Sequence, residues 1–303
     1  MDMKEIWNGR LDSWEKCDLR IWQIVKDIKD FDKNDRNHKF AFIGYDTDEG
    51  VKRNLGRPGA AFGPNEIRKG MKSLPVPENT TLYDYQNLNK HMTEEAQEEY
   101  SQKVKDALEK DIFPLGLGGG HDIVFGTYMG IRKTFPDKKI GIISFDAHLD
   151  NRPYDKGRTS GTSFKEILDT DKNVKYAIVG FQKAGNTKRL IDTATSHGVL
   201  MIPEELDEIR TGDYLHDFIK KVDIVYITFC MDVFDAAIAP GVSAPTPLGL
   251  DGKKGKRILL SILNSQKTVA ADFAEVNPLY DIDGRTAKLT GRLIYETINC
   301  LIK

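Results

Sequence analysis

The chain has 303 residues, 40% of them apolar and 30% charged, a composition that suits an ordinary globular protein with room for a large α/β core. The formal net charge is −2 and the Lys and Arg residues are scattered, with no basic stretch interleaved with aromatics, so neither nucleic acid nor an anionic membrane is expected as a partner. No apolar run approaches the roughly 20 residues of a membrane span, and the opening Met-Asp-Met-Lys-Glu-Ile-Trp lacks the apolar core of a signal peptide.

Residues 1–37 are polar and read as an N-terminal extension with a helix around 17–30. Cys17, Cys230 and Cys300 are odd in number and far apart, which argues against a disulfide framework and for a reducing, cytoplasmic setting. Strand and helix patterns then alternate. "FAFIGYD" (40–46) is a strand, and 63–74 is a helix with Pro64 at its first turn. A weak strand at 81–85 precedes a charged amphipathic helix at 93–110. "IFPLGLGGG" (112–120) is a strand running into glycines, followed by a helix at 121–135 and a buried strand at 139–148. Beyond these lie strand 175–181, helix 186–197, strand 199–202, helix 214–221, strand 223–232, helix 254–265, strand 269–276 and helix 285–302.

Several of these strands are continuous apolar runs, as expected when helices cover both faces of a parallel sheet. The expected fold is a doubly wound α/β sheet, mainly parallel, of about eight strands. With no internal repeat or Pro/Ser-rich linker, one domain over 1–303 is the simplest organisation. In such sheets ligands bind at the carboxyl ends of the strands. Polar clusters fall there four times: 118–122, 146–150, 230–235 and 275–283.

The loop Gly118-Gly-Gly-His-Asp122 fails both phosphate-loop tests. It has no following Lys-Ser/Thr, and His121 stands where the dinucleotide fingerprint needs glycine. It is either a tight turn capped by His121 or a device that presents His121 above the sheet. "ISFDAHLD" (143–150) is more informative. Read as a strand end, it puts Asp146, His148 and Asp150 on one face. Buried carboxylates without a partner are costly, and no Arg or Lys shares that face, so a divalent cation is expected; carboxylate plus imidazole suits Mn, Fe, Zn or Ni. "TFCMDVFDAAIAPG" (228–241) places Cys230 and Asp232 two apart at another strand end. Cys230 is either a small core residue or a metal-facing thiol. Glu275 ends the last strand, where it either pairs with a Lys or, at the rim of a metal site, holds a cationic amidine or guanidine group.

Together "GGGHD", "SFDAHLD" and the Asp232 strand with "APG" resemble the three signature motifs of the ureohydrolase family, which includes arginases, agmatinases and formimidoylglutamases. The likeness runs from about residue 40 to the C-terminus. It implies a three-layer α/β/α fold, two manganese ions, and a water activated between them that attacks an amidine or guanidinium carbon. By position, His121, Asp146, His148, Asp150 and Asp232 match metal ligands, and Glu275 matches the acidic residue that holds the substrate's amidine nitrogen. Homo-oligomerisation is a further family expectation.

Local features resemble the formimidoylglutamase branch: "IWNGRLD" (6–12), "NLGRPGAAFGPNEIR" (54–68), "AGNT" (184–187), "APGVSAP" (239–245) and "SGTSF" (160–164), where Ser160 replaces a histidine of the active-site rim. The implied substrate is N-formimidoyl-L-glutamate, hydrolysed to L-glutamate and formamide, with Asp150 as the proton shuttle. Arg57, Arg152, Arg158 and Asn186 are the candidates to meet its carboxylates. One departure stands out. The family places aspartate, bridging the two metals, where this chain has Cys230. A thiolate there favours softer metals than manganese, or leaves the second ion weakly held.

Overall fold

The computed structural model describes residues 3–302; residues 1, 2 and 303, the ends of the expected 1–303 unit, lie outside the described residues. Nine strands form one sheet: β1 (Lys26–Asp27), β2 (His38–Tyr45), β3 (Thr80–Asp84), β4 (Phe113–Gly118), β5 (Ile140–Phe145), β6 (Val174–Phe181), β7 (Leu200–Pro203), β8 (Ile224–Cys230) and β9 (Thr268–Ala274). Their spatial order is β1-β3-β2-β4-β9-β8-β5-β6-β7. Every pairing is parallel. The last two strands of the chain insert between β4 and β5, so the centre of the sheet is β4-β9-β8-β5. These are the four strands whose ends carry the polar clusters.

The period-2 geometry of a strand explains the three layers. Along β2, Phe40 and Phe42 join one hydrophobic cluster, while Ala41, Ile43 and Tyr45 join the other. Along β8, Val225, Ile227 and Phe229 face the first cluster, and Ile224 and Tyr226 the second. Helices Gly63–Met71, Glu208–Ile219, Gly252–Leu263 and Arg285–Leu301 close the first face. Helices Thr93–Glu109, Ile123–Thr134, Ser163–Thr170 and Lys188–Ser196 close the second. Beneath the carboxyl ends, Phe229 stacks on Phe145 at 4.0 Å between ring centroids and on Phe273 at 5.7 Å, which makes a rigid floor.

The helix expected over 17–30 does not form. That segment is a 3₁₀ turn (Lys16–Asp18), one helical turn (Ile21–Ile24), the two-residue strand β1 and a second 3₁₀ turn (Ile28–Asp30). Its backbone donors are taken by tertiary partners: Ile21 N–H bonds Leu74 O at 2.9 Å and Trp22 N–H bonds Lys72 O at 3.1 Å. The segment before β2 is thus stitched onto the sheet edge, where Trp7 Nε1 also donates to Asp84 Oδ2 at 2.8 Å. Among the helices that escape the sequence pattern are Glu49–Arg53 and Ser163–Thr170. Both are short. The second is held by Phe164 stacking on Tyr176 at 4.1 Å between centroids. No helix among the described residues is long and apolar enough to cross a membrane.

Candidate metal centre

The glycines after β4 serve close packing. Gly119 N–H bonds Tyr45 O at 2.7 Å, and a Cβ on Gly119 would lie 1.9 Å from the carbonyl oxygen of Thr47. Only a bare backbone fits there. The turn it allows carries buried His121 over the end of β9, where its N–H donates to Glu275 Oε1 at 2.9 Å.

Asp146, His148 and Asp150 do converge with His121, but not by strand alternation. Strand β5 stops at Phe145, and the chain then curls. Asp146 Oδ1 accepts the His148 N–H at 2.7 Å, and Asp150 adopts a left-handed backbone with φ 41°. Glu275 is left-handed as well, with φ 69°. A non-glycine residue in that region is strained, and such strain concentrates at functional sites. Asn186 holds the curl in place. Its Oδ1 accepts Leu149 N–H at 2.9 Å, and its Nδ2 donates to Ala147 O at 2.9 Å and Gln182 O at 2.8 Å.

The ligand atoms fall into two groups. Those of His121, Asp146 and Cys230 lie within 4.8 Å of one another, and so do those of Asp146, His148 and Asp232. Asp146 belongs to both. His121 Nδ1 lies 3.0 Å from Asp146 Oδ2 and 2.9 Å from Asp150 Oδ2. His148 Nδ1 lies 3.2 Å from Asp232 Oδ2. Cys230 and Asp232, though only two apart in sequence, serve different groups because β8 ends at Cys230 and Met231–Val233 is a 3₁₀ turn.

The electrostatics are those of buried carboxylates and imidazoles held close together. Burial works against the charged form of His148, but Asp232 and Asp146 outweigh it and push the imidazole up to about 12. Burial likewise opposes a charged His121, yet Asp146 and Asp150 hold it well above the ordinary histidine range. Burial would raise Asp146, and the two imidazoles instead pull it down to about 2. Burial, reinforced by Asp146, raises Asp150 and Asp232. Burial and the charge of Asp232 push Glu275 up to about 8. Buried Asp232 Oδ1 and Glu275 Oε2 have no hydrogen-bond partner among the described residues. Oxygens left bare in this way fit bound cations. Oxygen and nitrogen donors suit a divalent first-row ion such as manganese; the thiol is the odd member of the set.

A supporting shell was not visible in the sequence. His121 Nε2 lies 3.0 Å from Thr228 Oγ1, whose hydroxyl donates to Asp272 Oδ1 at 2.5 Å. Thr228 therefore accepts from Nε2–H, and that tautomer leaves the Nδ1 lone pair for a metal. Asp272 also accepts from Thr127 at 2.6 Å and from Tyr226. Asn277, fully buried, ties the rim loops together through Arg57 O at 3.1 Å, Pro58 O at 3.0 Å and Gly241 O at 2.7 Å.

Above this cluster opens a cavity of about 310 Å³, lined by Asn54, Leu55, Arg57, Arg152, Ser160, Asn186 and Ser243 as well as by His121, His148, Asp150, Cys230, Asp232 and Glu275. The rim candidates divide. Arg152 is exposed at the mouth, and its guanidinium has no hydrogen-bond or ion-pair partner among the described residues. Ser160 lines the wall and accepts from Asn54 at 3.2 Å. Arg57 donates to Ser243 O at 2.9 Å and Val242 O at 2.6 Å and stacks on Tyr280, so it builds the rim. Asn186 lines the cavity, but its amide is committed to the backbone. Arg158, expected as a substrate contact, lies outside the lining. It pairs with Glu166 at 2.6 Å, donates to Gln97 Oε1 at 3.1 Å and packs over the Phe125 ring.

Comparison with known proteins bears on the family and the fold. The profile of the arginase family matches residues 38–300. Formimidoylglutamase from Lysinibacillus sphaericus is 42% identical over 315 residues, covering 99% of this chain and 97% of the relative. Formimidoylglutamase from Geobacillus sp. is 38% identical, covering 97% and 94%. Among solved structures, Trypanosoma cruzi formiminoglutamase with Mn2+2 superposes with a TM-score of 0.83 at 24% identity, covering 94% of this chain and 99% of the other. Bacillus subtilis formimidoylglutamase gives 0.83 at 22% identity, covering 97% and 94%. At those identities the structures show a shared fold.

Proposed function

This chain belongs to the arginase family, and we propose that it is a metal-dependent hydrolase that cleaves the formimidoyl C–N bond of N-formimidoyl-L-glutamate, giving L-glutamate and formamide. Formimidoylglutamases matched along nearly their whole length support the substrate. One observation carries the reading: Glu275, with a bare carboxylate oxygen, stands beside the cation site, under a cavity whose mouth holds the unpartnered guanidinium of Arg152. The floor suits an amidinium and the mouth suits a carboxylate.

His121, Asp146, Cys230, His148 and Asp232, with Asp150 at 2.9 Å from His121 Nδ1, would hold two divalent ions, and a solved relative carries Mn2+. When bound, the pair supplies positive charge that activates water near neutral pH. The protein's own residues do the rest. Glu275 Oε2 accepts from the amidinium N–H, and the arriving cation favours the ionised form of this carboxyl over the protonated one. Asp150, 2.9 Å from His121 Nδ1, would carry a proton to the departing glutamate nitrogen. Arg152 receives a glutamate carboxylate at the mouth, and Ser160 offers a hydroxyl to the polar end of the ligand.

The direct test is glutamate release from N-formimidoyl-L-glutamate by manganese-reconstituted protein, with agmatine and arginine in parallel. Selective turnover of the first is the expected result. Faster turnover of agmatine would overturn the substrate assignment, because agmatine has no carboxylate for Arg152 to meet.

A further inference from the structure

The two halves of the cluster are chemically unlike. At His148 the donors are carboxylate oxygen and imidazole nitrogen alone: Asp146, His148 and Asp232. At His121 the third ligand atom is the sulfur of Cys230. A buried cysteine is usually a small core residue, and the surroundings exclude that use here. Cys230 is 2% exposed and lines the cavity. Its sulfur lies within 4.8 Å of ligand atoms of His121 and Asp146. In the same cluster, Asp232 Oδ1 is a buried carboxylate oxygen with no hydrogen-bond partner among the described residues. A thiol set within 4.8 Å of a buried imidazole and a buried carboxylate is not packed as a small apolar residue.

We infer that Cys230 Sγ is a direct metal ligand, and that it divides the cluster into a thiophilic half at His121 and a harder, oxygen-rich half at His148, so that the protein takes a mixed pair, a Zn, Co or Fe(II) ion beside Mn, in preference to two manganese ions. The inference rests on the proposed reading of the cluster as a metal centre. Affinity for divalent ions rises from Mn towards Co and Zn, and thiolate widens that gap while carboxylate narrows it. Charge is consistent as well. Asp146, Asp150, Asp232 and a Cys230 thiolate supply four negative charges against the four positive charges of two divalent ions. The thiol proton leaves to solvent as the sulfur–metal bond forms.

The experiment is a cobalt(II) titration of the purified full chain, followed in the near ultraviolet and visible with elemental analysis, for the wild type, Cys230→Ser and Cys230→Asp. A thiolate-to-cobalt charge-transfer band is expected to grow with the first equivalent in the wild type. It should be absent from both variants, although they still bind cobalt. Given one equivalent of Zn per chain and an excess of Mn, the wild type should retain one of each, and Cys230→Asp should shift toward Mn by about tenfold or more. Wild-type protein that binds cobalt without the band overturns sulfur ligation and leaves the metal centre standing. A band that persists in Cys230→Ser assigns it to Cys17 or Cys300 and overturns the inference. Two manganese ions retained from the mixture overturn the division into halves. Failure of the wild type to bind cobalt at all overturns both the inference and the metal centre beneath it.

Discussion

Glu275→Gln tests the site most sharply, because the surrounding hydrogen bonds dictate what the new amide must do. Glu275 Oε1 accepts the His121 N–H at 2.9 Å. That donor cannot move, so the glutamine must turn its carbonyl oxygen toward it. The amide nitrogen then replaces Oε2, the oxygen without a partner. A hydrogen-bond donor would face the donors of the substrate amidinium, and the opposing charge would be gone. Breaking one side of a buried charged pair costs about 3–5 kcal/mol. That corresponds to a fall in kcat/KM of roughly a few hundred- to a few thousand-fold. The assay is steady-state release of glutamate, with metal content by elemental analysis and thermal melting as controls. Because the substitution is nearly isosteric and keeps the His121 bond, both controls should match the wild type. A variant with intact metal content and activity within about threefold of wild type would refute the role assigned to Glu275.

Three further outcomes follow from particular contacts. Arg152→Ala should raise KM for N-formimidoyl-L-glutamate by about tenfold, a charge-assisted hydrogen bond discounted for exposure, and leave the melting temperature unchanged; an unchanged KM would remove Arg152 from the carboxylate subsite. Asn186→Ala leaves Leu149 N–H and the carbonyls of Ala147 and Gln182 without their partner. It should destabilise the fold by about 2–4 kcal/mol and quicken metal loss, both measurable by denaturant titration and chelator challenge. Asp171 is opposed by burial, yet Asn173 N–H, Tyr128 and Arg132 together hold its carboxyl below the ordinary 3.8. Its folded pKa is depressed, so its stabilisation is present above pH 3.8 and lost as pH falls through the folded value. Asp171→Asn should therefore melt lower than wild type at pH 7, and the gap should close on acidification below 3.8; a gap constant across that range would contradict the ion-pair role.

Patterns short enough to be read along the chain were legible without the structure. The apolar runs of β4, β5, β8 and β9 announced buried parallel strands, because a strand covered on both faces has no polar alternation to show. The placement of His121, Asp146, Cys230 and Glu275 at or just past strand ends followed from the same runs. Identity of chemistry was legible too, since carboxylates and imidazoles beside apolar strands need a cation wherever they finally point.

What the sequence could not decide was geometry that depends on partners far along the chain. The 17–30 segment has a helical look, but its donors are claimed by Leu74 and Lys72. Nothing local marks Arg158 as different from Arg152, yet Glu166, Gln97 and Phe125 capture one while the other stays free. Thr228 and Asp272 are ordinary strand residues until the insertion of β8 and β9 at the sheet centre sets them behind His121. Spacing put Cys230 and Asp232 two apart at one strand end, and the 3₁₀ turn after β8 sends them to different groups of the cluster. Residue type and local period thus determined the sheet and the donors, because burial and charge are local costs. Tertiary packing alone decided which donors meet, because side-chain direction at a strand end is set by the neighbour it packs against.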